Sequence, residues 1–276
     1  MLTIAATDSG GAAGIAADLR TFATCGVHGC LAVTAVTVQN TLRVSGVQRI
    51  PPETVAAQIE AVASDIRLDA AKTGLLPDAA TMRAIVAACD RLGIGTAGAI
   101  PLVVDPVAAS ARGDQIIDDD ALQTLRTQLA PRATLCTPNL DEVRLLVGLE
   151  VHDRAAQYEA AGRVHALGPR HVLIKGGRLR EDVDVSVDVL YDGTDFVEFA
   201  GPRFKTPNVH GSGDCLAAAI AAALARGVPM ANAVGFGKRY VIEAVRHAYP
   251  LGAGHGPVSG LWAIRPWWEW EQLPSP

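Results

Sequence analysis

The segment Asn208-Val209-His210-Gly211-Ser212-Gly213-Asp214-Cys215 leads directly into Leu216-Ala-Ala-Ala-Ile-Ala-Ala-Ala-Leu-Ala225. Because strong helix formers follow the turn, the pattern predicts that Gly211 to Gly213 lie at a helix N-terminus. Free backbone N–H groups and the positive end of the helix dipole make that position suitable for an anion such as phosphate. Asp214 adds a carboxylate, which suits a hydroxyl that loses its proton while attacking a phosphoryl group. In an isolated Gly-x-Gly-Asp pattern the aspartate is more often an ordinary helix cap, so the rest of the chain must decide.

The composition is that of a globular chain with ample material for a core. The 276 residues are 49% hydrophobic and 19% charged, with a formal net charge of −5. Such an acidic chain is a poor partner for nucleic acid or an anionic membrane, and we expect neither. The sequence has no signal-peptide pattern and no apolar run of membrane-spanning length. The five cysteines include no C-x-x-C pair, so we expect free thiols in a reducing cytoplasm, without a zinc site or disulfides.

Short apolar strands alternate with helical segments along the chain. Strands are predicted at residues 2–6, 29–38, 70–74, 102–107, 133–137 and 171–177, and helices at 15–24, 51–64, 81–92, 120–129 and 230–248. Residues 187–191 and 195–200 are predicted to form a hairpin around Asp192-Gly193. This alternation predicts an α/β fold, with a mainly parallel sheet covered by helices on both faces. No linker divides the chain, which leaves one large α/β domain or two small ones.

Polar side chains recur at the C-terminal ends of the predicted strands. They are Asp8, Gln39, Lys72, Asp105, Asn139, Glu142 and Lys175. In open parallel sheets these ends meet at one edge, where ligands bind. Each residue alone is more often a cap or a solvated turn residue, but capping does not account for their joint recurrence. We therefore expect a ligand site along this edge.

Seven motifs, in order along the chain, resemble one known family. The most specific are Thr7-Asp8-Ser9-Gly10-Gly11-Ala12-Ala13-Gly14-Ile15-Ala16-Ala17-Asp18-Leu19 and Thr34-Ala35-Val36-Thr37-Val38-Gln39-Asn40-Thr41. The others are Ala71-Lys72-Thr73-Gly74-Leu75-Leu76, Val104-Asp105-Pro106-Val107, Thr137-Pro138-Asn139-Leu140-Asp141-Glu142, Lys175-Gly176-Gly177 and Gly252-Ala-Gly254-His255-Gly256-Pro257-Val258. They resemble the ribokinase superfamily, and within it the hydroxymethylpyrimidine/phosphomethylpyrimidine kinases of thiamine biosynthesis. The resemblance implies a ribokinase-like kinase domain over residues 1–260.

The chain departs from the family pattern at several positions. Ala12 and Ala16 replace the usual Gly and Gln of the first loop, and Leu75 stands where Met is usual. Many of these pyrimidine kinases carry Cys at the position of the catalytic base, whereas Asp214 stands here, as in ribokinase and the wider sugar kinases. Cys215 is one residue further on, and that offset turns its side chain about 100° away at a helix start. We expect Asp214 to be the base and Cys215 to be buried in the helix.

The resemblance implies that ATP binds at the glycine-rich turn. Its phosphates would lie over the backbone amides of Gly211, Ser212 and Gly213, with Lys175 meeting their charge. Gly211, Gly213 and Lys175 would thereby act in catalysis beside Asp214.

The resemblance also implies a Mg²⁺ ion that accompanies ATP. Glu142 and Asn139 would hold the ion, partly through water, because Mg²⁺ gives up its hydration shell reluctantly. Asp105 would contribute to the same metal and phosphate region.

The substrate ring is expected to contact Gln39, Gly10, Leu75 and Val107. The amide of Gln39 can donate and accept at once, which matches an aminopyrimidine edge with a ring nitrogen beside an amino group. The hydroxymethyl oxygen would attack the γ-phosphoryl group in line, so catalysis consists mostly of positioning and charge neutralisation. The resemblance implies that the monophosphate formed in this way is then phosphorylated to the diphosphate.

Two alternatives stay open at this point. A pyridoxal-type kinase phosphorylates a similar hydroxymethyl group on an aromatic ring, although Gln39 and the Asp8-Ser9-Gly10-Gly11 loop favour the pyrimidine. A catalytically silent metabolite-binding protein could share the fold, but the retention of Asp214, Lys175 and Glu142 argues against it. The expected partners are small molecules, and family analogy implies a homodimer.

The tryptophans are confined to the end of the chain. All four, Trp262, Trp267, Trp268 and Trp270, lie within the last fifteen residues. Residues 261–276 therefore form a Trp-rich C-terminal tail beyond most of the family resemblance. This tail either packs on its own domain or forms an aromatic patch that contacts a neighbouring subunit, since aromatic residues are enriched at interfaces.

Overall fold

The computed structural model describes residues 1–96, 98–110, 113–179 and 183–264. Its strands are β1 (Leu2–Ala5), β2 (Cys30–Val33), β3 (Ala35–Gln39), β4 (Val44–Arg49), β5 (Ala71–Thr73), β6 (Leu102–Val104), β7 (Leu135–Cys136), β8 (Val172–Ile174), β9 (Val185–Tyr191) and β10 (Phe196–Pro202). Its α-helices are α1 (Gly14–Thr24), α2 (Pro52–Asp65), α3 (Ala79–Leu92), α4 (Asp119–Thr124), α5 (Leu140–Val147), α6 (Arg154–His165), α7 (Ser212–Ala225) and α8 (Met230–Arg246).

The strands form one large sheet and one small sheet. The large sheet has the order β10-β9-β8-β7-β6-β5-β1-β2, and β3 pairs with β4 in the two-stranded sheet. From β8 to β2 all neighbouring strands are parallel, whereas β9 and β10 form an antiparallel edge. The predicted α/β fold with a mainly parallel sheet is therefore confirmed. Because β2 and β5 lie on opposite sides of β1, the strand order reverses there, which is where open α/β sheets bind ligands.

Helices cover both faces of the large sheet. Leu102 and Val104 of β6 join the core that α2 to α6 bury, whereas Val103 points to the opposite face and packs with α1, α7 and α8. Helix α7 is buried along most of its length, from Cys215 to Ala223. A helix that is apolar on all sides is stable only inside the molecule, so the alanine-rich run is held between the sheet and its two helical neighbours.

The strand predicted at residues 29–38 is wrong as a single element. The chain turns at Thr34, so β2 stays in the large sheet and β3 leaves it to pair with β4. Three hydrogen bonds fix the corner: the Thr34 N–H donates to Ala5 O at 2.9 Å, its hydroxyl donates to Leu75 O at 2.9 Å, and its carbonyl accepts from the N–H of Ile50 at 3.0 Å. The corner carries Gln39 away from the large sheet and over its edge.

Other boundaries differ for local reasons. The strand predicted at 102–107 ends at Val104, because Pro106 cannot donate to a ladder. The helix predicted at 120–129 is an α-helix only to Thr124 and continues as a π-helical turn over Leu125–Leu129. Sequence patterns did not predict α6, which carries polar and charged residues on several sides, or the mostly exposed strand β4.

Only the first tryptophan of the tail lies in the described part of the chain. Trp262 packs edge-on against Tyr240 of α8 at a ring-centroid distance of 5.7 Å and stacks on His247 at 6.5 Å. These contacts favour packing on its own domain for this residue. Trp267, Trp268 and Trp270 lie outside the described residues, so the role of the tail stays a prediction.

The corner at Thr34 gives a test of stability. Thr34→Val removes the hydroxyl donor from the partly buried carbonyl of Leu75, and we expect the free energy of unfolding to fall by about 1–3 kcal/mol. Urea denaturation followed by circular dichroism measures the change. As a control, Thr127→Val removes an exposed hydroxyl bond within a helical turn and should change stability by less than about 0.5 kcal/mol. Equal stability of Thr34→Val and the wild type would contradict the role of this bond.

Candidate active site

The glycine-rich turn lies at the N-terminus of α7, as the sequence predicts. Gly211 caps the helix with φ = 80°, and a Cβ atom on it would lie 1.9 Å from the carbonyl oxygen of Ala12. Only glycine therefore fits between this turn and the loop that follows β1. The N–H of Ser212 donates to Val209 O at 3.2 Å. The N–H groups of Gly213 and Asp214, in the first helical turn, have no acceptor within the helix and are available to an anion.

Asp214, in the first turn of α7, is held by a buried ammonium group. Lys72 Nζ donates to Asp214 Oδ1 at 3.0 Å and to Asp18 Oδ2 at 3.0 Å. The side chains of Lys72 and Asp18 are fully buried, whereas that of Asp214 is 15% exposed. The hydroxyl of Thr3 donates to Asp18 Oδ2 at 2.6 Å. This network joins β1, β5, α1 and α7 and leaves one face of Asp214 open.

The charges of the network set its protonation. Burial raises the pKa of Asp214, but the ammonium of Lys72 and the N–H of Gly14 outweigh this effect, so the net shift is downward. Burial lowers the pKa of Lys72, but the two carboxylates outweigh it and keep the amine protonated. Burial raises the pKa of Asp18 to about 7 against the opposing effect of Lys72. Asp214 is therefore the ionised carboxylate that faces the helix N-terminus.

Cys215 is buried beside Asp214 and points elsewhere. Its side chain belongs to a small core cluster with Ala17, Tyr240 and Val258. Burial raises the pKa of its thiol to about 12, because a thiolate would be poorly solvated there. A neutral thiol in an apolar cluster cannot act as a base near neutral pH, which agrees with the expected burial of Cys215.

Lys175 forms the second charged cluster of the site. Its Nζ atom lies 2.7 Å from Asp105 Oδ1 and 3.9 Å from Glu142 Oε2. A Cβ atom on Gly213 would lie 3.4 Å from Lys175 Nζ and 3.6 Å from Asp105 Oδ2. The cluster therefore lies directly against the turn at the start of α7. The hydroxyl of Thr137 also donates to Asp105 Oδ1, at 3.0 Å.

The carboxylates of this cluster have a surplus of negative charge. Burial raises the pKa of Glu142 to about 7, Lys175 opposes this, and Asp105 adds to it. Two carboxylates face one ammonium group, so the cluster keeps a net negative charge. Carboxylate oxygens are also hard ligands, and both properties fit a cation such as Mg²⁺. Asn139 is engaged differently, since it caps α5 by accepting from the N–H of Glu142 at 3.0 Å. Across the described ranges, no group of three or more His, Cys, Asp or Glu residues forms a complete metal cage.

Gln39 lies beside the first glycine-rich loop. The hydroxyl of Ser9 donates to Gln39 O, and the N–H of Gln39 donates to Ser9 Oγ, both at 2.7 Å. A Cβ atom on Gly10 would lie 3.7 Å from Gln39 O. The side-chain amide of Gln39 lies 3.2 Å from His210 Nε2, and that ring nitrogen lies 3.3 Å from Asp8 Oδ2. The structure thus brings the predicted residues Gln39 and Gly10 to the start of α7.

The other two expected ring contacts follow the ends of β5 and β6. Leu75 is partly buried and comes directly after Gly74, where a Cβ atom would lie 3.1 Å from Lys72 Nζ and 3.8 Å from Asp214 Oδ1. Val107 is partly buried two residues beyond Asp105. Their contact with a substrate ring stays a prediction.

The sequence interpretation missed Asp18 and His210 and gave Lys72 no role. Asp18 follows Ala16-Ala17 and Lys72 follows Ala70-Ala71, so each charge stands beside small apolar residues. Charges in such surroundings are rarely buried without a partner. This pattern indicates an ion pair, although only the fold shows that the two residues meet.

Comparisons with known proteins point to one family. Residues 8–259 match the family model described as phosphomethylpyrimidine kinase. The chain is 54% identical over 264 residues to a hydroxymethylpyrimidine/phosphomethylpyrimidine kinase of Mycobacterium tuberculosis, covering 96% of this chain and 94% of that protein. It is 45% identical over 263 residues to a bifunctional thiamine biosynthesis protein of Geobacter sulfurreducens, covering 95% of this chain and 52% of that protein.

A solved structure has the same fold. The ADP complex of Bacillus subtilis pyridoxal kinase is 34% identical, with a TM-score of 0.86 over 94% of this chain and 96% of that one. No helix in the described ranges is long and apolar enough to cross a membrane. The family match spans most of the chain and includes every predicted site residue, so the chain belongs to the phosphomethylpyrimidine kinase family.

Proposed function

We propose that this protein phosphorylates the hydroxymethyl group of 4-amino-5-hydroxymethyl-2-methylpyrimidine with ATP, and then the monophosphate to the diphosphate, for thiamine biosynthesis. The observation that carries the proposal is the position of Asp214. Its carboxylate has a lowered pKa and faces the N-terminus of α7. A base beside an anion site is the arrangement that an attacking alcohol needs. The name of the Mycobacterium tuberculosis relative supports the pyrimidine as the substrate, and the name of the Geobacter sulfurreducens relative supports thiamine biosynthesis.

The residues of the turn would bind the group in transfer. The phosphates of ATP would lie over the backbone of Gly211, Ser212 and Gly213, where the N–H groups of Gly213 and Asp214 have no acceptor within the helix. Lys175 lies close enough to Gly213 to neutralise charge on the same group. Asp214 accepts the proton of the attacking hydroxyl, and Lys72 holds it in position.

ATP and Mg²⁺ are the cofactors of this proposal. The ADP complex of a structural neighbour supports the binding of a nucleotide by this fold. Asp105 and Glu142 would hold the ion with Asn139 nearby, and Mg²⁺ would supply charge neutralisation to the phosphates. A cation there would also keep Glu142 ionised, because it opposes the upward shift of its pKa.

The pyrimidine ring would lie between the first loop and the ends of β5 and β6. Gln39 would recognise its polar edge, while Gly10, Leu75 and Val107 would line the ring faces. Ser9 would support this pocket, because its hydroxyl bonds both the N–H and the carbonyl oxygen of Gln39.

A pyridoxal-type kinase is the second candidate, because the structural neighbour is named a pyridoxal kinase. A coupled assay of ADP release with hydroxymethylpyrimidine and with pyridoxal distinguishes the two activities. We expect a kcat/KM that is higher for the pyrimidine. A preference for pyridoxal would reject the proposal, and no turnover with either compound would favour a silent binding protein.

The cysteines support a cytoplasmic location for the protein. All five cysteines are free thiols, and four are buried, which is consistent with the reducing cytoplasm expected from the sequence. The homodimer implied by the family resemblance and the boundary at residue 260 stay predictions.

Asp214 should matter unequally in the two phosphorylations. The first nucleophile is a neutral alcohol, so Asp214→Asn should slow this step by about 10²–10⁴-fold. The second nucleophile is a phosphate oxygen already largely ionised, with a second pKa of about 6, so we expect a much smaller loss. Single-turnover rates with each substrate and saturating Mg·ATP measure the difference. Asp65→Asn on the exposed end of α2 is a matched control, and equal losses in both steps would remove Asp214 as the base.

The pH dependence of the first step should report the charge of Lys72. Replacing both buried partners, as Asp18→Asn with Lys72→Met, leaves burial to raise the pKa of Asp214. Because the base must be unprotonated, the acid limb of the kcat/KM profile should move to higher pH by about 1–3 units. Asp18→Asn alone leaves Lys72 with Asp214 only, and should move that limb downward or leave it unchanged. An upward shift in both variants, or in neither, would contradict this electrostatic role.

Gln39 should act through binding of the pyrimidine and not of ATP. Gln39→Leu leaves the polar groups of the ring edge without a partner, which costs about 1–3 kcal/mol. We expect the KM for hydroxymethylpyrimidine to rise by about tenfold or more, since 1.4 kcal/mol is a factor of ten. The KM for ATP serves as the internal control and should stay constant. An unchanged pyrimidine KM would rule out this recognition.

A further inference from the structure

The C-terminal motif, residues 252–258, binds the loop that follows Gln39. The N–H of His255 donates to Thr41 O at 3.1 Å, and the N–H of Gly254 donates to Thr41 Oγ1 at 3.2 Å. A Cβ atom on Gly254 would lie 1.9 Å from Thr41 O. The two backbones therefore touch, and glycine is required for that contact.

The same motif binds the turn that precedes α7. The N–H of His210 donates to Gly256 O at 3.2 Å, and the N–H of Val258 donates to His210 O at 3.1 Å. The backbone of His210 is thus paired with the motif on both of its hydrogen-bonding groups. Residues 252–258 hold the Gln39 loop and His210 together, which sets the distance between their side chains.

In the structure, a side-chain nitrogen of Gln39 faces a ring nitrogen of His210. Gln39 Nε2 lies 3.2 Å from His210 Nε2, and His210 Nε2 lies 3.3 Å from Asp8 Oδ2. Asp8 also accepts from the N–H groups of Gly10, Ala12 and Ala13 at 2.8 to 3.0 Å. A carboxylate that accepts so many donors stays ionised, so the ring nitrogen that faces it carries a proton.

A protonated ring nitrogen cannot accept from the amide NH2 group of Gln39. The hydrogen bond to Asp8 raises the pKa of His210, which favours the same proton on Nε2. The oxygen and nitrogen of an amide are assigned from their hydrogen bonds, and only the oxygen of Gln39 is an acceptor for this donor. With Oε1 toward His210, the NH2 group of Gln39 turns away from the ring and is available to another acceptor.

We propose that His210 is a positioning residue that fixes the amide of Gln39, with Oε1 sharing the single Nε2–H of His210 with Asp8 Oδ2 and the NH2 group presented to a ring nitrogen of the substrate. The inference rests on the proposed function, since it assigns the polarity of the group that recognises the pyrimidine. Oε1 keeps a second lone pair, which can accept from the amino group of the ring. Without His210 the amide can turn over, and half of its orientations present an acceptor to an acceptor.

A double-mutant cycle separates this role from a general structural one. The variants are His210→Leu, Gln39→Leu and the two combined, each assayed for the KM of hydroxymethylpyrimidine, the KM of ATP and kcat. One hydrogen bond contributes about 0.5–1.5 kcal/mol, so His210→Leu should raise the pyrimidine KM by up to about tenfold. If His210 acts through Gln39, the double variant should be no worse than Gln39→Leu alone. The KM of ATP should stay constant throughout.

A rescue and a control complete the design. His210→Gln keeps an N–H donor at similar reach and should recover most of the pyrimidine KM. His152→Leu, on the exposed loop between α5 and α6, should behave as the wild type. Thermal unfolding of every variant checks that the fold is intact, which is expected because the side chain of His210 is 33% exposed.

Each outcome bears on the inference. Losses that add in the double variant, an unchanged pyrimidine KM in His210→Leu, or no recovery in His210→Gln would overturn the role of His210 while leaving the kinase activity in place. Absence of pyrimidine turnover by the wild type would reject the proposed function and this inference together. A non-additive loss confined to the pyrimidine KM supports the assignment.

Discussion

The buried ammonium of Lys72 is the interaction on which the rest of the site depends. A fully buried charge is tolerated only when it is paired and hydrogen-bonded, and Lys72 finds Asp18 on α1 and Asp214 on α7 within 3.0 Å. The lysine itself belongs to β5, next to the point where the strand order reverses. One electrostatic requirement therefore ties two helices to the sheet and holds the Asp214 carboxylate at the N-terminus of α7.

The site contains two charged clusters with the same imbalance. Lys72 faces two carboxylates, and Lys175 faces Asp105 and Glu142. Each cluster has one more acidic group than basic, yet the turn between them favours an anion. The surplus near Lys175 is at Glu142, whose pKa burial raises to about 7. A divalent cation bound to a polyphosphate would neutralise the surplus carboxylate charge and would also reduce the repulsion between these carboxylates and the phosphates at the turn.

The sequence predicted the parts of the molecule that depend on local patterns. The alternation of strands and helices, the glycine-rich start of α7 and the edge that gathers Asp105, Glu142 and Lys175 all follow from periodicity and strand ends. The corner at Thr34 did not, because it depends on acceptors at Ala5 and Leu75 that are distant in sequence. The partnership of Asp18 with Lys72 is likewise a property of tertiary structure, although apolar neighbours around each charge indicate burial.

The contact between Lys72 and Asp214 also bears on how Asp214, as the proposed base, could serve phosphoryl transfer although it is a weak base. A carboxylate with a lowered pKa takes a proton from a free alcohol only at great cost, so early deprotonation is unfavourable. In the loose, metaphosphate-like transition state of phosphoryl transfer, the attacking hydroxyl becomes acidic only as its bond to phosphorus forms. The base then needs to be unprotonated and in place at that moment, which the ammonium of Lys72 ensures. The thiol of Cys215, with a pKa raised to about 12, stays protonated near neutral pH and lies in an apolar cluster, so it cannot take this role. An aspartate at this position is therefore a weak base, but it stays ionised near neutral pH. The fold compensates for the low basicity by holding the carboxylate in place through Lys72.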